Sequence, residues 1–237
     1  VGYGGELVTV PYRDDREDTE ALIEAAKAHN PKLVYLANPD NPMGTWWQAD
    51  VVEAMVERIP NGSLLVLDEA YGEFAPDGVM PRIDPFDSRV LRFRTFSKAY
   101  GLAGIRLGIC YASEEIIGVL NKIKPPYNVN QLTQQRALQR VLNQDLVNKE
   151  VQQILDERDE LINALNGLEF VKELYPTDAN FVLAKVDDAN KRYQQLLDKQ
   201  VVVRNRSTQP LCENTLRFTV GTPEENKKLI AILKELN

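Results

Sequence analysis

The chain has 237 residues, 43% of them hydrophobic, enough to bury a substantial core in one large domain or two smaller ones. Its 35 acidic and 28 basic side chains leave a formal charge of −7, which gives no general attraction to nucleic acid or anionic lipid. No apolar run reaches membrane-spanning length, the first residues lack a secretory pattern, and Cys110, Cys212 and the single histidine, His29, have no zinc-ligand spacing, so a reducing cytoplasm fits.

In chain order, Asp18 caps a helix running to His29, with Leu22, Ile23 and Ala26 at helical spacing. Leu33 to Leu36 reads as a short buried strand that enters Asn38-Pro-Asp-Asn-Pro-Met-Gly-Thr45, a turn-forming run. A helix over Ala49 to Ile59 precedes a second strand, Leu64 to Leu67, which stops at Asp68-Glu-Ala-Tyr71. A third strand near Val90 to Phe93 delivers Ser97 and Lys98. Arg106 to Tyr111 reads as a strand running back in the opposite sense, with Cys110 in the core. Ser113 caps a helix to about Lys122, and Lys124-Pro-Pro-Tyr127 interrupts the chain.

Asn130 to Leu165 has one long helical pattern, with apolar positions that include Leu132, Leu138, Leu142 and Leu161. Short strands at Val171, Asn180 to Leu183, Val201 to Val203 and Leu216 to Val220 then alternate with helices near 189–199 and 224–236. The expected fold is therefore α/β, a mostly parallel central sheet with flanking helices, followed by a small C-terminal α+β domain. The corresponding divisions are 1–128, a bridging helix over 129–165, and 166–237. Trp46 and Trp47 read as surface or dimer-contact residues, and His29 as a solvated helix end.

Residues 95–108, Thr-Phe-Ser-Lys-Ala-Tyr-Gly-Leu-Ala-Gly-Ile-Arg-Leu-Gly, place one lysine between hydroxyl groups and a glycine-spaced arginine. An amine that condenses with a carbonyl must be partly neutral, which cationic or apolar neighbours favour, so the run suits a phosphorylated aldehyde cofactor. Helices separate the strands, which puts their carboxyl ends on one edge, where open α/β sheets bind ligands. Asn41, Asp68, Tyr71, Ser97, Lys98 and Arg106 are expected to converge there.

These motifs, with Leu216-Arg-Phe-Thr-Val-Gly-Thr-Pro-Glu-Glu-Asn226, resemble the fold type I, class I/II pyridoxal-phosphate aminotransferases, and within them the histidinol-phosphate aminotransferases. The resemblance covers the chain yet only about two thirds of such an enzyme. Val1-Gly-Tyr-Gly-Gly-Glu reads as the middle of a large domain, so a fragment is expected.

What the resemblance implies is transamination between L-histidinol phosphate and 2-oxoglutarate, giving imidazole acetol phosphate and glutamate, in a cytoplasmic homodimer with pyridoxal 5'-phosphate. It makes Lys98 the covalent anchor of the cofactor and the proton carrier, and it sets Asp68 against the ring nitrogen. Asn41 and Tyr71 take the phenolic oxygen; Ser97 and Arg106 take the phosphate, with Thr95 as a lesser candidate. Arg217 matches the carboxylate-binding arginine and Arg204 one that helps bind the substrate phosphate, with Asn180 lining the pocket and Arg206 a lesser contributor. No metal is implied. Aromatic aminotransferases, phospho-amino-acid decarboxylases of the same fold, and a regulator with a cofactor-sensing domain share many of these features.

Overall fold

The computed structural model describes residues 4–76, 81–84 and 86–237, so the expected reading of Val1 to Tyr3 lies outside the described residues. Helix α1 (Thr19–His29) starts where the Asp18 carboxylate accepts from Ala21 N at 2.9 Å, and α2 (Ala49–Arg58) follows the Asn-Pro turn. Strands β1 (Leu33–Ala37), β2 (Leu64–Asp68) and β3 (Val90–Thr95) are parallel neighbours, and β4 (Gly108–Tyr111) closes the sheet antiparallel to β3. The register sets Ala37 beside Asp68 and Asp68 beside Phe93, so the carboxyl ends share one edge, as the helix-separated strands imply.

One face of this sheet is dry. Ile23 and Ala26 of α1 and Val52, Met55 and Val56 of α2 pack against Val34, Leu36, Leu65, Leu67 and Val90. The alternation of β1 turns Leu33 and Tyr35 to the other face, where both stay more than half exposed beside a cavity. Trp47, expected at the surface, instead packs on the dry core with its ring 4.2 Å under the Arg16 guanidinium. Cys110 is not core: among the described residues β4 pairs with β3 alone, and the thiol is half-exposed.

The helical pattern expected over 130–165 forms two helices, α4 (Gln131–Val141) and α5 (Gln144–Asn166), after α3 (Glu114–Ile123). Leu142 closes α4, and Arg140, held by Tyr100 O at 3.0 Å and by the Glu150 carboxylate, fixes the bend. Leu132, Leu138 and Leu142, expected to pack, are exposed.

Strands β5 (Val171–Leu174), β6 (Phe181–Val186), β7 (Arg204–Asn205) and β8 (Thr215–Thr219) form an antiparallel sheet in the order β5-β6-β8-β7. No strand forms at Val201 to Val203: Val202 is exposed, and pairing with β8 begins only at Arg204. Leu161 and Leu165 of α5, α6 (Ala189–Asp198) and α7 (Pro223–Glu235) cover this sheet, and Thr222 and Glu225 close a capping box ahead of α7. The N-terminal half of α5 reaches the turn after β2, where Val151, Ile154 and Leu155 pack in one cluster with Tyr71, Phe74 and Phe181 of β6.

Candidate functional site

The Asn-Pro turn is the first part of the site. It carries a cis Asn38–Pro39 bond, and Gly44 has φ +86°, where a Cβ would overlap the Thr177 side chain. Asp178 N donates to Gly44 O at 2.7 Å, so the turn is fastened to the segment that enters β6. Asn41 is thereby held at the rim of a cavity of about 690 Å³, with its Oδ1 accepting from Arg217 Nη1 at 2.6 Å and from Arg206 Nη2 at 3.5 Å.

Asp68 ends β2 half-buried rather than fully buried, because the face it shares with Tyr35 opens on the cavity. One of its oxygens accepts from the Tyr35 hydroxyl and the other from Ala70 N at 3.0 Å. Burial and then the Asp68 carboxylate push the Tyr35 phenol up, keeping it a donor. Tyr35 was missed in the sequence, although strand alternation at 33, 35 and 37 and the parallel register were enough to find it.

Next along the chain, Glu69 points away from Asp68 and is 1% exposed. It accepts from Arg92 Nη2 at 2.7 Å and Nε at 3.2 Å, and from Arg94 Nη1 at 3.3 Å, while Arg94 Nη2 reaches Glu73 at 2.6 Å. Burial alone would pull Arg94 down, but Glu73 and Glu69 outweigh it and hold its guanidinium above the ordinary value. This buried network ties the end of β2, the 3-10 turn at Gly72–Phe74 and strand β3 together, and those three segments carry Asp68, Tyr71 and Lys98.

Tyr71 is buried edge-on to Phe181, with ring centroids 5.3 Å apart, and Lys98 Nζ lies 5.1 Å from the centre of its ring. Lys98 borders both the main cavity and a second one of about 550 Å³, which is also lined by Thr95, Ser97, Arg106 and Cys110. Asp68 borders both as well. The Thr95 hydroxyl accepts from Ser97 N at 3.0 Å, which turns the chain out of β3 and presents Ser97. Arg106 adopts φ 54° and donates to Ala103 O at 2.9 Å with its guanidinium exposed along the second cavity.

The small sheet supplies the arginines. Arg217 stands 4.8 Å over the Phe181 ring and beside Asn41; burial, then Arg206 and Arg204, pull its guanidinium below the ordinary value. Arg204 is exposed, whereas Arg206, the lesser candidate by sequence, reaches Asn41. Asn180 lies half-buried just before β6, its carbonyl taken by Val220 N, and it lines neither cavity. The structure thus brings together Asn41, Asp68, Tyr71, Lys98 and Arg217, sets Thr95, Ser97 and Arg106 along the adjoining cavity, and leaves Asn180 and Arg204 at the margin.

A cluster that sequence reasoning missed lies in the main cavity wall. Tyr12 Oη donates to Asp40 at 2.8 Å, and burial, followed by the Asp40 charge, pushes Glu17 up to about 8. Asp40 is likewise raised by burial. Nothing in local spacing marks these three residues, since Tyr12 and Glu17 come from the segment ahead of α1 and Asp40 from the Asn-Pro turn.

The architecture and this arrangement agree with comparisons to known proteins. Residues 1–233 match the family described as "Aminotransferase class I and II". The chain is 51% identical over 225 residues to a histidinol-phosphate aminotransferase of Flavobacterium johnsoniae, covering 94% of this chain and 63% of that protein. It is 51% identical over 206 residues to one from Christiangramia forsetii, covering 86% and 58%. Against the crystal structure of histidinol-phosphate aminotransferase from Sinorhizobium meliloti in complex with pyridoxal-5'-phosphate, the TM-score is 0.88 at 34% identity, covering 100% of this chain and 66% of that one. The chain thus spans less than two thirds of the length of the curated relatives it matches. By its sequence, its two-sheet α/β fold and the residues gathered at the carboxyl ends of its parallel strands, this chain belongs to the class I and II aminotransferases.

Proposed function

We propose that the complete protein is a cytoplasmic, homodimeric, pyridoxal-phosphate-dependent aminotransferase that moves the amino group of L-histidinol phosphate to 2-oxoglutarate. The observation that carries this reading is Lys98, whose amine borders two cavities at once: one with a hydroxyl and a guanidinium suited to a phosphate, and one walled by Asp68 and Asn41. The cofactor fits that donor set. Ser97 and Arg106, with Thr95 behind them, would hold its phosphate, Asp68 the protonated ring nitrogen, and Asn41 and Tyr71 the phenolic oxygen. Bound there, pyridoxal phosphate supplies an electron sink for charge on the substrate α-carbon.

The chain's own residues do the rest. Lys98 anchors the cofactor aldehyde and carries the proton to and from the substrate α-carbon. Asp68, buttressed by Tyr35 and by the network behind Glu69, is held in a fixed position at one end of the site. Arg217 and Arg204, with Asn180 near the rim, receive the anionic groups of donor and acceptor, and the names of the 51%-identical relatives favour histidinol phosphate as the donor. Neither nucleic acid nor a membrane enters this reading; among the described residues no helix is long and apolar enough to cross a membrane.

The test is a donor panel of histidinol phosphate, phenylalanine, tyrosine and histidine with 2-oxoglutarate on the complete protein. Histidinol phosphate is expected to give the highest kcat/KM. A phenylalanine rate far above it replaces the donor by an aromatic amino acid, and carbon dioxide release from a phospho-amino acid without keto-acid exchange removes transamination altogether.

A further inference from the structure

The pairing of β7 with β8 sets Arg204 directly across from Arg217. The two-residue period of a strand then puts Arg206 on the same face as Arg204 and turns Asn205 to the other, where it bonds Asn190 at 2.8 Å and Ser207 N at 2.9 Å. Three guanidiniums therefore crowd one face, although like charges across a strand pair are destabilising. Among the described residues none of the three has a carboxylate within 4 Å. The side-chain acceptor shared by Arg206 and Arg217 is one neutral amide oxygen, Asn41 Oδ1. Arg206 Nε, Arg217 Nε and Ser207 Oγ are buried with no hydrogen-bond partner.

Buried donors without acceptors are costly, and a cationic group of them is relieved by an anion with several acceptor oxygens. A carboxylate carries a single negative charge, which the one guanidinium fork of Arg217 balances. A phosphate monoester carries a larger charge and three terminal oxygens, so a second guanidinium fork is matched by both charge and acceptors. We infer that Arg206 is a specificity-determining residue that binds the phosphate monoester of the amino donor. This rests on the proposed transamination, and it gives Arg206 a larger share of phosphate recognition than the exposed Arg204.

The experiment uses the complete protein loaded with cofactor, so that the cofactor phosphate site is filled. In Arg206→Gln, KM for histidinol phosphate is expected to rise about 10- to 100-fold with kcat within a few fold, as for loss of a charge-assisted hydrogen bond. The loss in kcat/KM should be at least tenfold greater for histidinol phosphate than for phenylalanine. Arg206→Lys should recover part of it. Equal losses for both donors, or no loss for either, overturn the inference. Calorimetric titration with inorganic phosphate reads the same residue without turnover: binding at least tenfold weaker in Arg206→Gln is expected, and equal binding overturns it. Should the glutamine variant fail to fold, Arg206→Lys decides, since phosphate binding equal to wild type then refutes the role. A wild-type protein that binds phosphate through Arg206 yet does not turn over histidinol phosphate would refute the proposed donor, whereas turnover of histidinol phosphate with phosphate binding indifferent to Arg206 would refute this inference alone.

Discussion

In the parallel sheet, ionised side chains gather at the carboxyl ends of the strands and nearly all find partners: Glu69 takes Arg92 and Arg94, Glu73 takes Arg94, and Asp68 takes Tyr35. In the antiparallel sheet the interior is continuously apolar, from Val182 and Ala184 to Leu216 and Phe218, and the arginines on its outer face lack carboxylates among the described residues. Both arrangements border one site. Paired charge fixes the geometry of the site, and unpaired charge marks a surface suited to an anion, which is why counting charged residues alone distinguishes neither.

The largest expected effect is at the free amine of the first sheet. Lys98→Ala in the complete protein is expected to lower kcat by at least about 10³-fold, because the proposed function makes one group both nucleophile and proton carrier. The far-ultraviolet spectrum and Tm should change little, since Lys98 has no ion pair among the described residues. A variant that keeps a tenth of wild-type activity would remove Lys98 from the chemistry.

Glu69→Ala probes the paired side. It leaves Arg92 and Arg94 facing each other in a buried setting, and removing one member of such a network costs about 3–5 kcal/mol in chemical denaturation. Because the network also fixes β2 to β3 and to the turn after Tyr71, cofactor affinity should fall with stability. A loss of stability below about 1 kcal/mol would mean that the ion pairs are solvated and do not organise the site.

Much of this contrast was legible before the structure. The Asn-Pro turn, the strand ending in Asp68 and the Ser97-Lys98 loop are marked by local residue types, and the helix-separated strands were enough to align their carboxyl ends. The break at Leu142–Asn143 was not, because the apolar period runs through it unaltered; a long-range contact, Arg140 to Tyr100 O, sets the bend. Nor was the contact of Arg206 with Asn41, which depends on how far β7 pairs and on where the Asn41 turn docks. Signals within a few residues could be read, whereas those made by two distant segments meeting, such as Tyr12, Glu17 and Asp40, could not.

That last cluster separates paired charge from shared protons. Glu17, held up to about 8 from an ordinary 4.5 by burial and then by Asp40, binds more protons folded than unfolded between those values. Its stabilising contribution is therefore complete below about pH 4.5 and lost as pH rises through about 8. Asp40 adds to the shift and Arg16 opposes it; Glu17 and Asp40, both raised by burial, titrate together. Glu17→Gln should flatten the fall in Tm between pH 5 and 8.5 by an effect of order 1 kcal/mol, about 2–4 °C for a chain of this size. Parallel Tm profiles for the two proteins would show that Glu17 ionises freely.

The smallest effect tests the unpaired side most directly. Arg204 sits across from Arg217 with its guanidinium exposed, so its repulsion is partly screened by water and salt. Arg204→Gln is expected to raise stability by about 0.2–1 kcal/mol at low ionic strength, the cost of like charges across a strand pair. The gain should shrink as salt is added. It should also shrink or reverse as inorganic phosphate is titrated in, because an anion that binds the arginine face stabilises wild type by mass action and the variant less. If Arg204→Gln is destabilising in phosphate-free, low-salt buffer, the three arginines are not in mutual repulsion, and the contrast between the two sheets loses its electrostatic basis.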